Sequence, residues 1–287
     1  MRTSFSDEWN IFTSQHEKKR IDVDGVVFEY YSVGDDGNPP LVFLNGGMNC
    51  PEMWMGYLDS HLIDDYRAII FEYPRGARTN LELVDAMNSF FRKIGVDKPV
   101  LIGASYGGMV AQMYQKRFRG ELSGIVLIAT GGLDKDTLRK LRRKYRFLGL
   151  LLWYMKHSDY EKMKPKLIKV GDNLARNENE EDRAYVHEMF EYLFRYYSKE
   201  KDMHITSLQA DIGNQTPLEK EDFVPLMGRI LLIFPSDDFF SPDMQHNLEE
   251  MMLSPDIIRL TGSHASTMIR PEVLLSSIVT FLRRIGY

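Results

Sequence analysis

The chain of 287 residues holds a single cysteine, Cys50. That excludes an internal disulfide and any CxxC metal pair, and it points to a reducing compartment. No apolar run is long enough to span a bilayer, which takes about 20 residues. The longest, LGLLLWYM, covers only Leu148 to Met155. The opening stretch, MRTSFSDEWNIFTSQHEKKR, lacks the apolar core of a signal peptide, so a soluble, cytoplasmic protein is expected. Positive charge is not in excess: 36 Lys and Arg face 41 Asp and Glu, a formal charge of −5, so no global field draws nucleic acid. Internal repeats and low-complexity segments are also missing. What is present is a chain that is 44% hydrophobic, enough for a packed core. Its length suits one large α/β domain with an insertion, or two smaller domains.

RIDVDGVVFEYYSV reads as a hairpin, with Asp24-Gly25 as a strong turn signal between apolar flanks. Leu41 to Leu44, YRAIIFEYP, PVLIG and SGIVLIATGG are short apolar runs that end in loops or glycines. Between them Leu81, Val84, Met87, Phe91 and Ile94 recur at helical spacing, with Asn80 as the expected cap and Gly95 as the stop. A second helix is expected from Met109. This alternation implies a parallel sheet covered on both faces. The rhythm breaks from Leu133 to about Pro225, where the chain is helical, charged and rich in tyrosine and methionine. It resumes with the strand RILLIFPSDD and a helix opened by Ser241 and Pro242. The strand DIIRLTGSH follows, then a last amphipathic helix from Pro271. The expected organisation is an α/β core of residues 1–132 and 226–287 with a helical insertion of residues 133–225.

The stretch KPVLIGASYGGMVAQMYQKRF raises the functional question. Gly103-Ala104-Ser105-Tyr106-Gly107 fits G-x-S-x-G, in which a serine stands on a strained turn between a strand and a helix. Small residues on either side let the backbones approach, the hydroxyl is exposed above the sheet, and the helix N-terminus faces a developing anion. The motif is short and could be a plain tight turn. Its setting, an apolar strand before and a helix after, favours a nucleophile.

A serine hydroxyl needs a base, and the base needs an orienting acid. Among seven histidines, His16 lies in a leader read as unstructured, and His61 falls in a loop or helix before a core strand. His157, His187 and His204 belong to the insertion, and His246 sits inside a helix. His264 alone follows a core strand in a short loop, TGSHAST. For the acid, LLIFPSDDFFSP offers Asp237 and Asp238, either of which could instead cap the turn before the Ser241 helix, and Asp134, just after the preceding strand, is a lesser third candidate.

With these residues in place the sequence resembles the α/β-hydrolase fold family, in its serine-hydrolase branch with a helical cap, over almost the whole chain outside the cap. The resemblance implies a mostly parallel central sheet flanked by helices, with a helical cap inserted. It implies an acid four residues before a proline, which selects Asp238 before Pro242, and a histidine after a glycine, which matches Gly262-Ser263-His264. The chain order Ser105, Asp238, His264 is the family's. It also implies an oxyanion hole made by the N–H groups of Tyr106 and Gly47, with Asn45-Gly46-Gly47 where the family usually carries His-Gly-x. FEYPRGARTN is a looser match to a family loop and is read as structural.

Met48, Met109 and Met268 flank these positions and are candidates for the pocket wall. In the insertion Leu138, Leu141, Tyr145, Leu148 and Leu152 form a stripe beside Lys135, Arg139, Lys140, Arg142, Arg143 and Lys144. A cap helix with a solvated basic face is the plainer reading, and contact with anionic lipid is the sharper one. Phe190, Leu193, Phe194 and Tyr197 form another stripe, read as a cap core rather than a dedicated aromatic box. The expected activity is hydrolysis of a carboxylic ester or related acyl compound with an apolar or aromatic part. No cofactor, metal or nucleic acid is called for. Serine at the turn speaks against the family's epoxide hydrolases and haloalkane dehalogenases, which use a carboxylate there. Thioesterase, aminopeptidase, C–C bond hydrolase and acyltransferase share the same three residues, and a non-catalytic ligand-binding protein is the alternative of a different class.

Overall fold

A computed structural model describes residues 3–287 of the chain. Its elements run in the order α1 (Phe5–Gln15), β1 (Lys19–Val23), β2 (Val26–Val33), β3 (Pro40–Leu44), α2 (Met55–Leu58), β4 (Arg67–Phe71), α3 (Asn80–Lys93), β5 (Val100–Ala104), α4 (Tyr106–Arg117) and β6 (Gly124–Ile128). Four helices follow: α5 (Lys135–His157), α6 (Lys164–Leu174), α7 (Glu180–Tyr196) and α8 (Lys199–Asp211). The chain then returns to β7 (Ile230–Asp237), α9 (Pro242–Met251), β8 (Asp256–Ser263), α10 (Ser266–Ile269) and α11 (Pro271–Arg284).

The strands form one sheet in the order β1-β2-β4-β3-β5-β6-β7-β8. β1 and β2 pair antiparallel through the Asp24-Gly25 turn, and β2 pairs antiparallel with β4. Every other pairing is parallel. The central strands are apolar throughout because both of their faces are covered. Side chains alternate between two cores: Val42, Leu101, Ile125 and Leu127 face one, and Phe43, Ile102, Val126 and Ile128 face the other. The first core holds α3 and α4, and the second holds α1 and α11. Truncating one such residue, Leu101→Ala for instance, should cost about 2–5 kcal/mol through lost transfer energy and the cavity left behind.

Helices α5 to α8 lie within the connection between β6 and β7, which are neighbours in the sheet. Among the described residues no helix is long and apolar enough to cross a membrane.

Three local expectations change. The stretch around His16 is no unstructured leader: Ser4 caps α1, whose Phe5 and Phe12 are buried, and Glu188 of α7 accepts from the Phe5 and Ser6 amides. Thr79, not Asn80, caps α3, which frees the Asn80 side chain for the contacts described below. Helix α4 starts at Tyr106, directly after the serine, rather than at Met109.

Candidate active site

The serine sits where β5 must turn into α4. Ser105 has φ 54° and ψ −118°, a conformation that L-residues avoid unless surrounding structure fixes it. Its amide donates to Ile128 O at 2.9 Å, and its carbonyl accepts from Thr130 Oγ1 at 2.7 Å. The neighbouring glycines are needed for closeness. A methyl group on Gly103 would lie 2.4 Å from Gly107 O, and one on Gly107 would lie 2.2 Å from Leu44 O. One on Gly108 would lie 2.6 Å from Thr130 Cγ2. Without side chains at these positions, α4 packs directly against the ends of β3 and β6.

The residues expected as base and acid come from the ends of β8 and β7. His264 Nδ1 lies 2.7 Å from Asp238 Oδ1, with the histidine side chain 13% exposed and the aspartate 1%. A carboxylate at Nδ1 favours the tautomer with the proton there, which leaves Nε2 as the acceptor. Asp238 Oδ1 also accepts from Phe240 N at 3.3 Å. The other two acids are engaged elsewhere. Asp237 Oδ2 accepts from Asn177 Nδ2 at 2.5 Å, and Asp134 Oδ1 caps α5 through the amides of Asp136 and Thr137. Ser105 and His264 line the same cavity. Among the described residues no hydrogen bond joins Ser105 Oγ to the imidazole. Such a bond commonly tightens only when substrate is present.

The loop after β3 lies beside the serine: a methyl group on Gly46 would stand 3.7 Å from Ser105 Cβ. Asn45 is fully buried and holds this loop to the end of β4, its Nδ2 donating to Phe71 O at 2.6 Å while Tyr73 Oη donates to Asn45 O at 2.7 Å. Gly47 is held from the other side by Gln209 of α8, whose Nε2 donates to Gly47 O at 3.1 Å. Tyr106 is fixed in a similar way. Its hydroxyl donates to Asn80 Oδ1 at 2.6 Å, and Asn80 Nδ2 donates to Leu208 O of α8 at 2.9 Å. Burial pushes the Tyr106 hydroxyl well above its ordinary pKa, so it stays a neutral donor.

A second clamp reaches the residue before His264 from the loop between α6 and α7. Glu178 Oε1 accepts from the Ser263 amide at 2.5 Å, one residue before His264. Glu178 Oε2 accepts from Arg270 Nη2 at 2.6 Å. Asn177 beside it holds Asp237, one residue before Asp238. Gln209, Asn177 and Glu178 were not singled out in the sequence, and Asn80 was read there only as a helix cap, because their partners are mostly backbone atoms or neighbours distant along the chain.

The cavity has a volume of about 250 Å³. Its wall is largely apolar: Met48, Met53, Leu193, Phe190, Tyr145 and Met268 contribute, with Gln209 and Thr267 as polar exceptions. Met48 and Met268 thus stand at the wall, whereas Met109 does not; its side chain is fully buried in the core behind the sheet. Phe190 and Leu193 of the aromatic stripe face the cavity, while Phe194 and Tyr197 are buried in the second core. Burial pushes the Tyr145 hydroxyl up to about 12. His264 is the one histidine lining the cavity. Among the described residues no three His, Cys, Asp or Glu side chains gather as a metal site would need.

A model described as the alpha/beta hydrolase family matches residues 41–276. No curated protein sequence matches the chain. Among solved structures, a thermophilic esterase from Thermogutta terrifontis is similar at TM-score 0.69 and 17% identity, over 94% of this chain and 100% of that one. An enol-lactonase from Burkholderia xenovorans is similar at TM-score 0.65 and 17% identity, over 92% and 100%. A hydrolase from Pseudomonas aeruginosa gives TM-score 0.69 and 15% identity, over 93% and 98%. At these identities the likeness is one of fold.

Proposed function

Because the chain belongs to the alpha/beta hydrolase family, we propose that it hydrolyses a carboxylic ester, or a closely related acyl compound, through an acyl-enzyme on Ser105. The observation that carries this reading is the 2.7 Å contact between His264 Nδ1 and Asp238 Oδ1, with His264 and Ser105 on the wall of one apolar cavity. His264 Nε2 takes the hydroxyl proton as Ser105 Oγ attacks the carbonyl carbon. Asp238 holds the ring and stabilises the imidazolium that forms. The carbonyl oxygen, now negative, accepts from the Tyr106 and Gly47 amides, and the N-terminus of α4 adds its positive end. His264 returns the proton to the departing alkoxide. Water then attacks the acyl carbon, gives its proton to His264, and the acid leaves as the proton passes back to Ser105.

Residues 133–225 act in this reading as a cap over the cavity. Its Phe190, Leu193 and Tyr145, with Met48 and Met268, favour an apolar acyl or aromatic group in the substrate. A panel of p-nitrophenyl esters of graded acyl length tests the proposal. The native protein should turn over the apolar esters, and Ser105→Ala should lose about 10⁶-fold in rate, as triad serines do elsewhere. Equal turnover by the two proteins, or none by the native protein on any ester, would contradict it.

A further inference from the structure

Helix α5 has two apolar faces, and only one of them is used by the fold. Leu138 and Leu141 are buried and Tyr145 faces the cavity. On the opposite side Phe147 and Leu150 are 65% exposed, Trp153 is 60% and Tyr154 is 44%. Their spacing places them on one outward stripe of the second half of the helix. The first half of the same outward side is basic. Across α5 eight Lys and Arg stand against one acid, Asp136, in a chain whose formal charge is −5.

Few of these cations are neutralised. Arg139 pairs with Asp136 and Lys140 with Asp243, while Arg142 donates to the carbonyls of Gly213 and Gln215. Lys144 lies over the Phe239 ring, 3.1 Å from its centroid. Arg146 stacks over Phe147. Lys135, Arg143 and Arg146 have no carboxylate partner among the described residues. This surface adjoins the cavity rim: Phe239, beneath Lys144, is 49% exposed and lines the cavity, as does the half-exposed Val170 of α6.

We propose that the outward face of α5 docks on an anionic lipid surface. Aromatic and leucine side chains on a helix can enter the headgroup boundary, and the arginines beside them meet the negative headgroups. A second copy docked through α5 would cover the aromatic stripe but bring only one acid, Asp136, to its eight cations. The docking does not depend on the hydrolase reading, because its readout is binding rather than turnover. Were both to hold, the cavity rim would lie against the surface from which an amphiphilic ester is drawn.

Co-sedimentation of the full-length chain with phosphatidylcholine vesicles, with and without phosphatidylglycerol, tests this. Binding should appear only with phosphatidylglycerol, weaken as salt rises, and shift Trp153 emission to the blue. Arg143→Glu with Arg146→Glu, and separately Phe147→Ser with Leu150→Ser, should each lower it about ten-fold or more while thermal unfolding stays unchanged. Absence of binding to the mixed vesicles would overturn the proposal, as would binding that neither double variant weakens. A dimer in solution that the Phe147→Ser and Leu150→Ser protein no longer forms would overturn it in favour of self-association.

Discussion

Ser105 is held at positive φ by hydrogen bonds to Ile128 and Thr130 on the neighbouring strand end, so the turn stores strain where the chemistry is proposed. Such a conformation costs about 1–3 kcal/mol in a non-glycine residue. Ser105→Gly should therefore be more stable than Ser105→Ala by about 1 kcal/mol, read as a higher denaturant midpoint at equal m, with both inactive. Equal midpoints would show that the turn is unstrained. Gly47 supplies a different test, since its proposed role lies in a backbone amide that no ordinary side-chain change removes. Gly47→Pro deletes that N–H, and loss of one oxyanion donor raises a barrier by about 2.7–4 kcal/mol. A folded Gly47→Pro protein should lose 10²-fold or more in kcat; an active one would refute the role of Gly47. At this scale the sequence was informative wherever a role demands one residue type at a strand end, as at Ser105 and His264. It was silent on Gln209 and Glu178 and offered Asn80 only as a cap, because their partners lie far away along the chain. Met109 shows another limit. Helix α4 is buried on nearly every side, so its periodicity does not reveal which face meets the cavity.

At the level of elements, the helices between β6 and β7 do more than line the cavity. Helix α8 touches both proposed oxyanion residues, Gly47 through Gln209 and Tyr106 through Asn80. Lys201 of α8 also pairs with Glu72, which Lys18 bridges to Glu52. Burial acts against the Glu72 charge, yet these two lysines hold its carboxyl below the usual range. The loop between α6 and α7 grips the residues just before the proposed base and acid. Glu178→Ala should thus lower kcat about 10–100-fold with KM little changed, because a small misplacement of a catalytic group is costly. Glu178→Gln keeps an acceptor for the Ser263 amide and should recover much of the rate. A change confined to KM would assign Glu178 to substrate binding instead. Helical spacing announced these elements in the sequence. Their attachment points were hidden, because a single asparagine or glutamate in a polar loop carries no periodic signal.

For the whole molecule, the parallel sheet collects loops from distant parts of the chain at one edge. Strands β3, β5, β6, β7 and β8 are successive neighbours, and Gly47, Ser105, Asp238 and His264 follow β3, β5, β7 and β8. A binding crevice at the carboxyl ends of strands is the usual consequence of this topology. The overall plan was legible because buried parallel strands are apolar throughout and break at small residues. The N-terminal helix was not, since its few apolar positions, Phe5, Trp9 and Phe12, sit among polar residues and are explained only by packing on α7 and on Tyr31 of β2. The rate at which a fluorophosphonate labels Ser105 asks most directly whether these loops form one catalytic unit. The native protein should be labelled at Ser105 alone, and His264→Ala should slow the reaction by about 10³-fold or more while leaving the fold intact. Native protein that stays unlabelled, or a His264→Ala protein labelled at the native rate, would contradict an activated serine at this site.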